Sequence, residues 1–192
     1  MFLSRGNRKC KDMWIFNLPA IKACPNHKDC AKTCYALKAQ RMYWTAAQSR
    51  EDNFRVAKKD PDKLRYFLIA TMSNHRYLVC RIHESGDFFS QKYVDMWYEV
   101  AKVLPNIKFY AYTKTRDLWD FSKLDSLPNV NIISSYLNGY LNYGPSTYVR
   151  SLANKFGLIV CPATAKSSGK KCNVDCKICQ IKGTNNVIFV QH

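Results

Sequence analysis

Residues 76–90, RYLVCRIHESGDFFS, hold the pattern that decides the fold prediction. The apolar run over 76–83 is typical of a buried strand, and it stops at a polar turn formed by residues 84–87. Ser90 then precedes QKYVDMWYEVAKVL, a segment that ends before Pro105, so the serine is predicted to cap a helix. A strand, a polar turn and a helix in this order indicate a β-α unit.

Segments of the same two kinds alternate along the whole chain. Strand character is found at 14–21, 76–83, 106–113, 129–137, 157–163 and 185–192, and helical character at 31–59, 61–74, 91–104, 116–127 and 148–157. This alternation predicts an α/β fold with a mainly parallel sheet, which right-handed crossovers would curl into a partial (β/α) barrel. At this length we expect one domain, residues 1–192.

Composition narrows the class of protein. Apolar residues make up 47% of the chain, which is enough for a core, and no apolar run approaches the roughly 18 residues of a membrane span. The N-terminal sequence MFLSRGNRKCKDMW has no apolar stretch typical of a signal peptide. We therefore expect a cytoplasmic protein with no membrane partner, in a compartment where thiols stay reduced.

The cysteines carry the clearest chemical signal. Seven of the nine fall into two groups, spaced C-x5-C-x3-C and C-x10-C-x3-C-x2-C: Cys24, Cys30 and Cys34 in the first, and Cys161, Cys172, Cys176 and Cys179 in the second. Thiolates repeated at short range are the ligands of zinc and of iron–sulfur clusters. In a reducing compartment such groups indicate metal or redox chemistry rather than disulfides.

The first group has three thiolates, and Cys30 and Cys34 would lie one above the other on a helix. A fourth metal position is either open or filled by Cys10, His27 or Cys80. Cys80 lies inside an apolar strand and is expected in the core, whereas Cys10 is expected to be a free thiol. The second group has four thiolates, which suit a closed zinc site and a closed four-iron cluster equally well.

Ligands of parallel sheets bind beyond the carboxyl ends of the strands. Both cysteine groups and the 84–87 turn directly follow predicted strands, so we expect all three at one rim. Glu84 and Asp87 are predicted either to bind a ligand amine or ribose hydroxyls or to cap the following helix. Further pocket candidates end other strands: His83, Tyr112, Thr113, Lys114, Ser134 and Ser135.

The chain is strongly basic, with 30 Lys and Arg residues against 14 Asp and Glu residues and a formal net charge of +16. Such a field attracts nucleic acid, anionic cofactors or acidic partners. A solvated basic surface without a specific partner explains the same number.

Five sequence blocks together carry a family resemblance: FNLPAIKACP (16–25), CAKTCYALKAQ (30–40), RIHESGDFFS (81–90), YAYTK (110–114), and CPAT (161–164) with its closing C-x3-C-x2-C. In this order they resemble the phage gene product 88 family. The layout is more distantly similar to radical S-adenosylmethionine enzymes, which are partial or full β/α barrels holding a four-iron cluster on three cysteines. The usual spacing in that superfamily is C-x3-C-x2-C, and here it occurs at the second group.

That resemblance implies a phage iron–sulfur protein of the host cytoplasm, with one or two [4Fe-4S] clusters and redox or radical chemistry on an unknown small-molecule or macromolecular substrate. Catalytic residues, and whether the protein is an enzyme, stay open. The resemblance further implies S-adenosylmethionine as a cofactor, contacted by the residues that match the strand-two motif, which are His83, Glu84, Ser85, Gly86 and Asp87. Tyr112 and Lys114 join these candidate cofactor-binding residues because they end the next strand on the same rim. The alternative is a zinc-stabilised nucleic-acid-binding or host-interaction protein without catalysis.

Overall fold

The computed structural model describes residues 2–28, 30–137, 139–164 and 170–190. Its strands are β1 Trp14–Phe16, β2 Val79–Ile82, β3 Lys108–Thr113, β4 Val130–Ser134, β5 Tyr136–Leu137, β6 Tyr140–Leu141, β7 Tyr143–Gly144, β8 Ile159–Val160 and β9 Val187–Val190. Its α-helices are α1 Tyr35–Met42, α2 Trp44–Lys59, α3 Pro61–Ser73, α4 Gln91–Val103, α5 Ser122–Ser126 and α6 Ser146–Phe156, and short 3-10 helices cover Ala31–Thr33 and Ile178–Gln180.

The main sheet has four strands in the order β1-β2-β3-β4, and every neighbouring pair is parallel. Spatial order therefore follows chain order, with helices in each connection between strands. The prediction of an α/β fold with a mainly parallel sheet is confirmed. All four carboxyl ends consequently meet at one edge of this sheet.

The later strands form separate ladders. β7, β9 and β8 make a three-stranded parallel sheet, and β5 pairs with β6 in an antiparallel hairpin. The structure thus divides the described strands between sheets, where the sequence predicted one curled sheet. Asn142 connects the main sheet with the three-stranded sheet. Its N–H donates to the carbonyl of Ser135, just after β4, at 2.8 Å, and its own carbonyl accepts from the N–H of Phe189 in β9 at 2.8 Å.

The two faces of the main sheet have different surroundings. Cys80 and Ile82 of β2 and Phe109 and Ala111 of β3 belong to the large apolar core that includes helix residues such as Trp97. The alternate residues Val79 and Tyr110 lie in a second, smaller cluster with Cys10. Because strand side chains alternate between faces, the helices cover one face and the cysteine segments cover the other.

Two predicted helices are shorter than expected. The segment 31–59 is broken at Cys34 and Tyr43, which are both extended, so Cys30 and Cys34 do not stack on one helix as predicted. Cys34 instead caps α1, its sulfur accepting from the Leu37 N–H at 3.4 Å. Of the segment 116–127, only Ser122–Ser126 is α-helical. Polar side chains before it hold the chain in turns rather than helix.

Other local predictions are confirmed. Ser90 caps α4 by accepting from the Tyr93 N–H, and Pro61 occupies the first turn of α3. Gly157 ends α6 in the left-handed conformation at φ 63°, which a residue without Cβ adopts at little cost. In the described ranges, no helix has both the length and the apolar character needed to cross a membrane.

Candidate functional site

A cavity of about 310 Å³ lies beyond the carboxyl ends of the main-sheet strands. That volume is in the range of small-molecule and cofactor sites. Cysteines from both groups line it, together with one cysteine from outside them: Cys10, Cys24, Cys30, Cys34, Cys161, Cys172 and Cys179. The structure therefore brings together segments that are far apart in the chain, as the strand-end argument predicted. Cys176 is not among the lining residues.

Backbone turns after β1 position the first cysteine group. The Cys24 N–H donates to the Ile21 carbonyl at 3.0 Å, and the Cys30 N–H donates to the His27 carbonyl at 3.1 Å. Ile21 has a φ of 67°, an unusual conformation for a β-branched residue. The loop is thus held in a specific path rather than as a regular helix.

Burial dominates the electrostatics of this group. It raises the pKa of Cys24 to about 12, with the Asp87 carboxylate adding to the effect, and it also raises the pKa of Cys30. The Lys114 ammonium acts in the opposite direction on both thiols. These thiols stay protonated at neutral pH until a cation displaces the proton.

Cys80 and Cys10 do not lie with this group, whereas His27 lies within its loop but is not among the residues that line the cavity. Cys80 has no exposed surface and packs on the helix-covered face of β2, as expected for a core residue. The His27 ring nitrogen Nδ1 lies 2.8 Å from the Cys24 carbonyl oxygen. Cys10 lies beside Cys172 instead. Three cysteines therefore form this part of the cavity wall.

The second cysteine group is held by β4, β3 and β9. Asn131 of β4 is buried and donates to the carbonyls of Cys179, at 3.0 Å, and Thr184, at 3.2 Å. The Tyr112 hydroxyl donates to the Cys179 sulfur at 2.5 Å, and the Cys161 N–H donates to the Ile188 carbonyl at 2.8 Å. Burial raises the pKa of Cys179 to about 11 and also raises that of Cys161.

Cys10 is a free thiol, as expected, but it lies beside Cys172 of this second group. It is 2% exposed, and its backbone forms a parallel bridge with Cys172. A hydrogen bond from the Cys172 thiol, with the charge of Arg81 assisting, lowers the pKa of Cys10 below its usual value despite burial. The 161 residues between Cys10 and Cys172 give no short spacing, so the linear sequence carries no signal for this pairing.

Arg81 lines the cavity but was not among the site residues predicted from the sequence. Since Cys80 and Ile82 face the helices, Arg81 faces the cavity, where Nη1 lies 3.5 Å from the Cys10 sulfur and 3.8 Å from a Glu84 carboxylate oxygen. Burial alone lowers the pKa of a guanidinium, but Tyr35 and Tyr110 outweigh it, so the pKa of Arg81 lies well above its usual value. The sequence did hold a signal for this orientation, because a strand residue between two core residues points to the opposite face of the sheet.

The 84–87 turn is held to the loop after β1. The Asn17 carboxamide oxygen accepts from the N–H groups of Glu84 and Ser85, both at 2.8 Å, and the Ser85 hydroxyl donates to the Leu18 carbonyl at 2.9 Å. Gly86 has φ 88°, and a Cβ there would come within 2.6 Å of Leu18 Cβ. The turn therefore fixes the loop that carries Cys24.

Asp87 makes the same kind of structural connection. One carboxylate oxygen accepts from the Thr113 hydroxyl at 2.6 Å, and the other accepts from the Lys114 N–H at 2.9 Å. Its own N–H donates to the Ala23 carbonyl at 3.0 Å. Desolvation by burial raises the pKa of Asp87 despite these bonds. The alternative in which Asp87 caps the following helix is wrong, because Ser90 caps α4 as predicted. Asp87 instead connects the turn after β2 with the loop after β1 and the end of β3.

His83 lines the cavity, but its ring is packed against the helix-side core. Nε2 lies 2.9 Å from the Tyr93 hydroxyl, and the ring contacts Phe88 edge-on with centroids 4.9 Å apart. Burial, with the nearby Arg81 charge, lowers the pKa of His83 to about 3, so the imidazole is neutral. Ser134 is not a lining residue, whereas Ser135, Tyr112 and Lys114 are.

Comparison with known proteins defines the family. The sequence model described as "Gene product 88" matches residues 1–155. The chain belongs to the gene product 88 family. Two of its relatives are the "Gene 88 protein" of Mycobacterium phage L5, 25% identical, and that of Mycobacterium phage D29, 23% identical; each alignment covers 87% of this chain and 81% of the relative. No solved structure matches the chain.

The prediction of a bacteriophage family is confirmed by these matches. The first cysteine group, Arg81 and the 84–87 turn all lie in the part matched to the gene product 88 family, whereas Cys161–Cys179 lies beyond it. The family match assigns no chemistry to the cavity.

The donor set of the cavity fits a thiophilic metal or an iron–sulfur cluster, since its cysteine sulfurs are the soft ligands that these groups prefer. Their present positions are those of free thiols. Over the described part of the chain, no three His, Cys, Asp or Glu side chains stand in an arrangement ready to hold a metal ion. Binding would therefore require the side chains to rearrange, with deprotonation of the buried thiols.

Proposed function

We propose that this family member is an iron–sulfur protein whose cavity binds a [4Fe-4S] cluster through Cys24, Cys30 and Cys34, with a second cluster or a zinc ion held by the second cysteine group. The observation that carries the proposal is the convergence of seven cysteines, from segments up to 169 residues apart, on one cavity of about 310 Å³. Packing alone does not explain why thiols gather at one cavity, because apolar side chains would fill the same space equally well.

The composition of the first group supports a site with one open iron. Cys80 is turned to the opposite face of the sheet, and Cys10 lies with Cys172, so three thiolates remain. An iron with no protein ligand is available to bind substrate as a Lewis acid. The cavity then places that substrate between the two cysteine groups.

Basic side chains in the wall favour an anionic occupant. Lys114 lowers the pKa of Cys24 and Cys30 relative to the effect of burial alone, and so promotes their thiolate forms. Arg81 does the same for Cys10. A cluster with thiolate ligands is an anion, and these two cations would offset its charge in a buried site. When bound, such a cluster supplies one-electron redox chemistry.

S-adenosylmethionine is the candidate ligand for the open iron, on the basis of the distant resemblance to radical enzymes. In this chain, the Glu84 carbonyl accepts from the Tyr35 hydroxyl at 2.6 Å, and the Ser85 and Asp87 side chains are used within the protein. The 84–87 turn would therefore act by positioning Cys24, and Lys114 and Tyr112 would provide the polar wall.

Anaerobic purification followed by iron, sulfide and zinc analysis tests the proposal. We expect acid-labile sulfide with iron and a brown chromophore in the wild-type protein, and loss of one cluster in the Cys24→Ala/Cys30→Ala/Cys34→Ala variant. Cys80→Ala is the matched control and should keep all of the iron. A change in the electron paramagnetic resonance spectrum of the reduced protein on adding S-adenosylmethionine would support the open iron.

Two results would contradict the proposal. Colourless protein with stoichiometric zinc would favour a zinc-stabilised protein instead, and the +16 charge would then make salt-dependent binding to DNA or RNA the next measurement. Protein that takes up neither iron nor zinc under reconstitution would refute metal binding altogether.

A further inference from the structure

We infer that Cys10, and not Cys176, is the fourth thiolate of the second metal site, alongside Cys161, Cys172 and Cys179. This inference rests on the proposed function and specifies its second site. It assigns a ligand from the N-terminal segment to a group otherwise confined to the C-terminal part of the chain. The metal class is a thiophilic ion or cluster, as for the first site.

The main chain pairs Cys10 with Cys172. The Cys172 N–H donates to the Lys9 carbonyl at 2.8 Å, and its carbonyl accepts from the Lys11 N–H at 3.3 Å, so the two hydrogen bonds flank Cys10. The Asn173 carboxamide adds bonds to the Lys11 and Asp12 carbonyls, at 3.0 and 2.9 Å. The N-terminal segment is thus fixed along the second cysteine loop.

A tight turn presents Cys10 to that loop. The Asn7 side-chain oxygen accepts from the Cys10 N–H at 2.9 Å, while the Asn7 N–H donates to the Cys10 carbonyl at 2.7 Å. Gly6 has φ 94°, and a Cβ there would collide with the Cys10 carbonyl oxygen. The backbone around Cys10 is therefore specified closely, which a free surface thiol does not require.

The Cys10 sulfur is buried next to a cation and the other cysteines of the cavity. Cys10 is 2% exposed and lines the cavity, as do Cys161, Cys172 and Cys179. Arg81 Nη1 lies 3.5 Å from the Cys10 sulfur and would stabilise it as a thiolate. Cys176 is outside the cavity lining, although its main chain also bridges Cys172 and the Asn173 N–H donates to its carbonyl at 2.9 Å.

The test uses full-length protein in the Cys24→Ala/Cys30→Ala/Cys34→Ala background, so that only the second site can fill. It is reconstituted anaerobically with iron and sulfide, and separately with zinc(II). Adding Cys10→Ala or Cys172→Ala should lower metal retention by more than about tenfold, since even residues that only support a ligand cost 10- to 100-fold. Adding Cys176→Ala should leave retention unchanged. Equal retention with and without Cys10, or loss on removing Cys176, overturns the inference.

A second measurement avoids variants that fail to fold. Wild-type protein, with and without bound metal, is alkylated with iodoacetamide, and each cysteine is followed by mass spectrometry. Metal should protect Cys10 and leave Cys176 reactive; the reverse pattern overturns the inference. If the background variant binds no metal while the wild type does, this inference fails and the first site stands. If the wild-type protein binds no metal, both this inference and the proposed function fail.

Discussion

The phenolic hydroxyl of Tyr112 donates a hydrogen bond to the sulfur of Cys179 across 2.5 Å, although 67 residues separate them. Tyr112 is the second-last residue of β3, and Cys179 lies in the C-terminal cysteine segment. The Tyr112 ring also packs edge-on against Phe189 of β9, with centroids 4.7 Å apart. One side chain therefore connects the main sheet with both the second cysteine group and the second sheet.

Tyr112→Phe should destabilise the protein by about 1 kcal/mol, because it removes one hydrogen bond while keeping the ring contacts. Urea unfolding of the metal-free protein under reducing conditions measures the change. Tyr66→Phe is the control, since Tyr66 is 66% exposed and its substitution should change stability by less than about 0.5 kcal/mol. Equal values for the two variants would contradict a stabilising contact to Cys179.

Asn131→Ala should loosen the second cysteine segment. The substitution removes the donors to the Cys179 and Thr184 carbonyls and the acceptor of the Gly183 N–H, at a cost of about 2–3 kcal/mol. Trypsin should then cut at Lys177 and Lys182 before the protein unfolds globally. Each 1.4 kcal/mol of local stability lost raises the open population about tenfold.

Asn129→Ala provides the matched control for this experiment. The Asn129 carboxamide also makes three hydrogen bonds, to the carbonyls of Ala101, Leu104 and Ile107, at 3.0–3.1 Å. A comparable loss of global stability is expected, without selective cutting at the cysteine segment. Similar cleavage patterns in both variants would show that Asn131 has no local role.

His83 should make the protein sensitive to acid. Its pKa is lowered from 6.5 to about 3 by burial and then by the Arg81 charge, so the unfolded chain binds a proton across this range and the native state does not. The contribution of His83 to the free energy of unfolding is therefore complete above pH 6.5 and is lost as the pH falls towards 3. The loss is at most about 1.4 kcal/mol per pH unit.

His83→Asn isolates that contribution. Asparagine tolerates the positive φ of 66° found at this position and does not titrate. The variant should be less stable at neutral pH because it loses the contact with Tyr93, yet its urea midpoint should decline less between pH values of about 6.5 and 4.5. Parallel pH curves for the variant and the wild type would show that His83 is not the titrating group.

Gly86→Ala should be among the most damaging single changes near the cavity. It combines a positive φ, which costs about 1–2 kcal/mol, with overpacking against Leu18, which costs about 1–3 kcal/mol more. Gly157→Ala separates the two effects, since φ there is 63° but nothing lies within 4 Å of an added Cβ. In urea unfolding, the Gly86→Ala variant should be much less stable than the Gly157→Ala variant. Equal losses of stability would show that the contact with Leu18 adds no steric cost.

The sequence by itself determined the local elements and the edge at which the chemistry gathers. Apolar runs ending in polar turns specified the four parallel strands, and Ser90 and Gly157 specified helix ends, because these signals act through neighbours in the chain. The rule that parallel strands share a carboxyl edge was enough to place Cys24 and the 84–87 turn at one cavity, whereas Cys161 follows β8 of the second sheet and reaches that cavity only through the tertiary structure.

Only the tertiary structure decided which groups face each other there. It broke the helix at Cys34 and brought Cys10 to Cys172. It also turned Arg81 into the cavity while the 84–87 turn became a clamp on the loop after β1. Such contacts join residues tens to more than a hundred positions apart, and long-range packing, unlike periodicity or capping, leaves no spacing in a single sequence from which it can be inferred.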